Sequence, residues 1–532
     1  MKRVGNCIID ENFSEICYKE YVIYLKGVFF IDGYRAGEES IRKLVDIYEQ
    51  TLTIPFVKLR GAFSLVVDNG NTICIFTDNS NQNSMFYSND FIASRFDSLL
   101  HVGKVNVRWD EVAVCEYLSL GKVLFDKTLV NEVSILNSEQ YAIMCDGKIE
   151  IREKNIGKIY DELSTKFDPI TFFEKVAYAL QKEKYTNALT GGYDSRLVAT
   201  QLSKWIEIYP LVCANSQKDI EKMVAEKVCH EMEKKLWTIE IPKPNFDEEW
   251  LKKLLEIDDM TPFDLEGNYI QFYFKRKMHE KTLDLFITGD GGVLHKDWEW
   301  MQDLPFYHKK HVNLDKFYDQ RIEYINYKME LGERMLVYYN GQKKRIIESL
   351  KAYIQKTNTE SYDCLYYYIT GNRRLYYNLT EEKVRMYAPL NEFEYVQFSY
   401  HLPRRKRFFN NEIRRLTTEA SKYIARIPTN YGTTASAEFV WWFRDIFFQC
   451  IDYIKKAIRM FGRKMFNRSF FVSKTIDWDA NELRKLEFVQ RAMEYAQQND
   501  FISQDVKLEN ASLAILYRVV HLYYLHTKFQ ID

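Results

Sequence analysis

The chain has 532 residues, 46% of them hydrophobic, so its length allows about two to four domains and a large core. Lysine and arginine (74) balance aspartate and glutamate (75), which excludes a global polyanion-binding field. Nine scattered cysteines without a CxxC pair or a Cys/His cluster argue against a zinc site and for reduced thiols in a cytoplasmic protein.

MKRVGNCIIDENF lacks the apolar run of a signal peptide, and no uncharged apolar run is long enough for a membrane span. Residues 1 to about 160 read mainly as strands. YVIYLKGVFFIDGY (21–34), GAFSLVVDNGNTICIFTD (61–78) and EQYAIMCDGKIEIRE (139–153) are β-branched and aromatic runs broken by Asn-Gly or Asp-Gly turns. VVDNGNTICIF predicts a tight hairpin. Helical patterns over 38–50 and 110–121 lie between these runs, which predicts an α+β layered domain.

From about 166 the periodicity alternates between helix and strand. PITFFEKVAYALQKEK places Phe172, Phe173, Val176 and Leu180 on one helical face. TNALTGG is a short strand entering a turn, and DSRLVATQLSKW is helical again. A strand over 206–216 precedes a helix with Ile220, Met223, Val224 and Val228 on its apolar side. Strands at 236–242 and 283–292 follow, the latter ending in TGDGG. This alternation predicts a mostly parallel sheet with helices on both faces. Beyond about 300 the chain reads as mainly helical.

Ligands of such sheets bind beyond the carboxyl ends of the strands, where both glycine turns, 190–195 and 288–292, are expected. Gly191 and Gly192 would let backbone amides approach an anion, at the positive end of the following helix. Thr190 and Ser195 add hydroxyls. An acid at Asp194 suits a phosphate only with a cation between them, so the pattern points to a magnesium nucleotide. The competing reading is a plain turn with a helix cap.

ALTGGYDSRL (188–197) resembles the SGGxDS pyrophosphate loop of the N-type ATP pyrophosphatases, and the chain from about 20 to 435 resembles the asparagine synthetase family. Four further segments carry that likeness: VKLRGAFSLVVDNGNTICIFTDNSNQNSMFYS (57–88), GKVLFDKTLVNEVSILNSEQYAIM (121–144), TGDGG (288–292), and YAPLNEFEYVQFSYHLPRRKR (387–407). The resemblance implies a degenerate glutaminase-like (Ntn) domain over 1–160 and an α/β ATP-pyrophosphatase domain with a helical C-terminal region over 166–532. It also implies ATP and Mg²⁺ as cofactors, and adenylation of a small-molecule or peptide carboxylate, then amide formation. Nucleic acid is not expected as a partner.

By the same resemblance Thr190, Gly191, Gly192 and Ser195 would hold pyrophosphate, with Gly289 and Gly291 in the second turn. Asp194 and Asp290 would hold the metal, and the backbone of Val212 would meet adenine. Asp194 and Arg196 are the catalytic candidates, Arg196 being open to phosphate pairing or to capping the sheet edge. The chain departs from the family in three ways. Val293 and Leu294 stand where a further acid is expected, with His295 and Asp297 nearby and assigned to the surface. No lysine follows the proline of SKYIARIPTNYGTTAS, although Lys422 and Arg426 precede it. The first cysteine is Cys7, not a terminal nucleophile, so no glutamine hydrolysis is expected, and the nearest match to the glutamine-binding stretch is DGYRAGEES (32–40). Arg404, Arg405, Lys406 and Arg407 form a solvated basic face or an approach for an acidic substrate. EFVWWFRDIFFQCIDYIKKAIRMFGRKMF (438–466) reads as a packed helix, with an interfacial membrane helix as the alternative.

Overall fold

The computed structural model describes the chain except residues 104–106, 162–166, 215–218, 243–246, 258–264, 282, 284, 296–311, 324, 358–364, 366, 370–383, 467–479 and 532; Asp297 and Cys364 lie outside the described residues. The fold is mixed α/β, with three sheets. A five-stranded sheet has the order β1 (Lys2–Val4), β2 (Cys7–Ile9), β8 (Ile92–Ala93), β7 (Met85–Tyr87), β9 (Ser134–Leu136). A six-stranded antiparallel sheet has the order β11 (Lys148–Glu153), β10 (Gln140–Cys145), β6 (Thr72–Thr77), β5 (Leu59–Asp68), β4 (Tyr21–Ile31), β3 (Ser14–Tyr18).

These two sheets bury a shared layer in which Val4, Cys7, Met85 and Leu136 meet Tyr24, Val66, Ile75 and Met144. Helix α1 (Glu38–Thr51) covers the far face of the larger sheet through Ile41, Leu44 and Val45. Helices α2 (Phe96–Gly103) and α3 (Glu111–Leu120) cover the far face of the smaller one. The expected hairpins form at Asn69-Gly70-Asn71 and Asp146-Gly147, between β5 and β6 and between β10 and β11. Helix α3 starts where Asp110 accepts the Val112 and Ala113 amides, and it stops at left-handed Gly121.

The third sheet is wholly parallel: β14 (Trp237–Glu240), β13 (Pro210–Ala214), β12 (Tyr185–Ala188), β15 (Leu285–Ile287), β16 (Arg385–Tyr387). Its chain order builds outward from β12 in one direction, then returns to place β15 and β16 on the other side. The point of reversal lies between β12 and β15. Helix α4 (Pro169–Leu180) buries Phe172, Phe173, Val176 and Leu180 as its periodicity predicts. Helix α6 (Ile220–Glu231) corrects its predicted face: Val224, Ala225, Val228 and Cys229 are buried, while Ile220 and Met223 are exposed. Ala225, Val228 and Cys229 share a core with Val212 of β13, and Ile220 and Met223 lie outside that core.

The parallel sheet is tied to the six-stranded one. Glu392 accepts the Gly61 amide at 2.7 Å, Gln82 accepts the Ala388 amide at 2.9 Å, and Arg60 pairs with Glu394 at 2.5 Å. Burial pushes the Glu392 carboxyl up to about 8. The last two helices, Glu487–Gln498 and Leu513–Phe529, return to the start of the chain and share a core with α2 and α3. Tyr117 Oη and His521 Nδ1 lie 2.9 Å apart there.

Candidate functional site

Both glycine turns leave the carboxyl ends of neighbouring strands, β12 and β15, at the reversal point of the parallel sheet. That crevice is where open parallel sheets take ligands. The turns, about a hundred residues apart in sequence, touch. A methyl group on Gly289 would lie 2.4 Å from the Ser195 nitrogen, and one on Gly292 would lie 2.1 Å from the Asp194 carboxyl carbon. Only glycine admits that approach.

The first turn closes on its own hydroxyls. Ser195 Oγ accepts the Thr190 amide at 3.0 Å and lies 2.9 Å from Thr190 Oγ1. Two hydroxyls that share one hydrogen bond keep one proton to donate elsewhere. Helix α5 (Asp194–Leu202) starts at Tyr193 with no side-chain cap, whereas α3, α4 and α6 start on Asp110, Asp168 and Asp219, whose carboxylates accept the first amides. No side-chain cap thus takes up the first α5 amides at the crevice, and Asp194 stands in the first turn of the helix. Asp194 Oδ1 is shielded from solvent, and Asp290 is exposed, its Oδ2 accepting the Thr288 hydroxyl at 3.0 Å.

Several expected roles are corrected. Arg196 faces away from the turn: it is fully buried, and its guanidinium donates to the carbonyls of Ile427 (2.5 Å), Ile424 and Pro428. Burial lowers it to about 10. It anchors the 424–428 segment and has no path to a phosphate. Val212 lies mid-strand, 1% exposed and paired with Thr238, so its backbone belongs to the ladder and not to the strand's open end. The Cβ side of Gly191 is filled by Asn430, and that of Gly291 by Asn391, which leaves Gly192 the open glycine of the first turn.

His295 is buried, not on the surface. Its Nε2 donates to the Leu390 carbonyl at 2.9 Å, its Nδ1 meets the Ser399 hydroxyl, and its ring abuts Tyr395. Leu294 is 1% exposed and packs on Ile159 and Val396, so it is core and not a donor position. Arg426 is held by Glu438 at 2.6 and 2.7 Å, Lys422 is exposed, and Arg407 is buried while Arg405 and Lys406 are exposed.

Sequence reasoning missed Asn430. Its amide donates to the Gly191 carbonyl at 3.0 Å and its Nδ2 to Glu221 at 3.1 Å. Burial, then the neighbouring Asp219, raises the Glu221 carboxyl above its ordinary range. Asn-Tyr-Gly after a proline is a turn signal. Nothing in it names a partner some 240 residues earlier in the chain.

The oxygen-only donors Asp194 and Asp290 suit magnesium. The uncapped helix end and the Thr190–Ser195 hydroxyls suit a polyphosphate. Among the described residues no group of three or more His, Cys, Asp or Glu gathers as a metal cluster. Scans of known families and of curated proteins return no match to this chain.

Alanine at Gly292 tests whether the two turns act together. The added methyl must displace the Asp194 carboxylate. A misplacement of about an ångström in such a site costs about a hundredfold in rate. For a magnesium nucleotide taken at this crevice, turnover by folded Gly292→Ala is expected to fall by that order. Parental turnover would separate the second turn from the site.

Proposed function

We infer that the chain is an ATP-dependent, AMP-forming carbon–nitrogen ligase of the asparagine synthetase type. It activates a carboxylate by adenylation and transfers the acyl group to an amine. The observation that carries this reading is the contact of the two glycine turns at the reversal point of the parallel sheet. Residues 166–532 would be the ATP-pyrophosphatase part. Residues 1–160 would be the glutaminase-like part, a reading supported by two face-packed sheets with helices on their outer faces.

Bound Mg²⁺ would offset charge on the leaving pyrophosphate. Asp194 and Asp290 are the residues that would hold it. The first amides of α5 and the free proton of the Thr190–Ser195 pair would orient the phosphates, with the Gly192 amide joining them on release from Thr190 Oγ1, which it meets at 3.4 Å. Binding energy there favours the departure of pyrophosphate because its charge grows as the bond to the α-phosphorus breaks. ATP–pyrophosphate exchange, measured over a panel of small carboxylates and peptides, tests the reading. Carboxylate-dependent exchange is expected.

A second reading, a nucleotide-binding protein without ligase activity, is favoured by one observation: Leu294 is core where the resemblance implies a further acid. ATP binding with no exchange over the whole panel would establish it.

The amine would come from ammonia or from the substrate. Cys7 lies inside the β1–β2 hairpin, fully buried, and burial pushes its thiol up to about 12. A thiol nucleophile needs access and a thiolate. Incubation with glutamine and ATP is expected to release no glutamate. Release that disappears in Cys7→Ala would restore an amidotransferase.

A further inference from the structure

The helix Phe439–Phe466 was expected to pack, and the structure corrects this. Phe443 (67%), Phe447 (67%), Ile454 (59%), Ile458 (43%), Phe461 (59%) and Met465 (60%) are exposed and recur at intervals of three, four or seven residues. Such spacing lines them on one face of a helix about 40 Å long. Among the described residues no helix is long and apolar enough to cross a membrane. The same 28 residues hold Arg444, Lys455, Lys456, Arg459, Arg463 and Lys464 against two acids, Asp445 and Asp452. Asp445 is fully buried and its charge is met inside the protein by Arg414 at 2.8 Å and by Arg444 at 3.1 Å, which leaves five of the six cations beside Asp452.

We propose that this helix docks the protein on an anionic lipid surface, lying in the interface without spanning it. Charge decides between the two occupants an apolar helical stripe can take. A second copy of the helix would set cations against cations, because its sequence lacks the acids that alternate with lysines in paired helices. An anionic bilayer instead meets the basic residues with opposite charge and takes up the phenylalanine and isoleucine side chains at the headgroup boundary. Five phenylalanines, at 439, 443, 447, 448 and 461, also fit that boundary better than the aliphatic a and d positions of a coiled coil. Docking of this kind needs no nucleotide.

The test is sedimentation of the full-length protein with vesicles of phosphatidylcholine, with or without phosphatidylglycerol. Binding is expected only with phosphatidylglycerol, weakening as salt is raised. The triple variant Phe447→Glu, Ile454→Glu, Phe461→Glu changes three side chains that are more than half exposed, so it is expected to melt like the parent and to stay in the supernatant. Lys455→Glu with Lys456→Glu leaves the apolar stripe intact and is expected to lower partitioning at least about tenfold. Failure of the parent to sediment with anionic vesicles overturns the proposal. So does sedimentation of a folded triple variant equal to the parent's. A parent dimer that the triple variant converts to monomer, with no vesicle binding, assigns the stripe to a second copy instead.

Discussion

Alanine at Asp194 is expected to lower carboxylate-dependent ATP–pyrophosphate exchange about a hundredfold or more, and to remove the magnesium dependence of ATP binding. Asp194 opens α5, where a carboxylate also stabilises the helix dipole by about 0.3–1 kcal/mol. That contribution is too small to unfold the protein. A plain turn-and-cap role and a metal-binding role therefore separate cleanly. In the first, Asp194→Ala loses a little stability and no exchange. In the second, melting barely moves and exchange collapses. Asp194→Asn sharpens the test, since it preserves the shape that packs on Gly292 and removes only the charge. Exchange unchanged in both folded variants would take the metal away from this turn.

The parts of the fold that were legible in the sequence are those with local causes. The hairpin between β5 and β6 follows from Asn-Gly between β-branched runs, and the buried face of α4 from its four apolar positions. Strand–helix alternation implied the parallel sheet, and the sheet implied the crevice. Strands of two or three residues, such as β8 and β16, carry no period to read and exist because neighbours pair with them. Contacts between distant segments were equally hidden. In the sequence Arg196 stays open to phosphate pairing or to capping the sheet edge, because the carbonyls that bind it arrive some 230 residues later. The glycines of TGDGG pointed to an anion loop, but their tight fit against Ser195 and Asp194 could be seen only in space. The helix Phe439–Phe466 shows the limit most sharply. An apolar stripe has the same period whether it faces a core or a lipid surface. Its exposure, not its pattern, separates the two readings.

Alanine at Asp445 is expected to produce the largest loss of stability of any single change considered. Arg414 and Asp445 are 1% and 0% exposed, 2.8 Å apart, and carry a shared network. Arg414 also donates to the carbonyls of Phe409 (2.8 Å) and Ser436 (3.0 Å) and to Tyr193 Oη (3.2 Å). Asp445 Oδ2 also accepts the Thr434 amide and hydroxyl, both at 2.7 Å. Removing the carboxylate leaves a buried guanidinium without its counter-charge, which costs about 3–5 kcal/mol. The loss should be local at first, because these bonds seat the 429–436 loop that in turn lies on Gly191. In a chain of this size a single unfolding free energy is not defined, so two measurements are needed: the midpoint of the first urea transition and hydrogen exchange of residues 429–436. Both should shift strongly in Asp445→Ala. The exposed pair Arg491–Glu487 is the internal control: solvent screens it, and Glu487→Gln should move neither. Replacing both partners, Arg414→Met with Asp445→Leu, should cost much less than the sum of the single changes, since an apolar pair leaves no charge stranded. Unchanged exchange of the loop in Asp445→Ala would mean that the ion pair does not hold Asn430 on the first glycine turn.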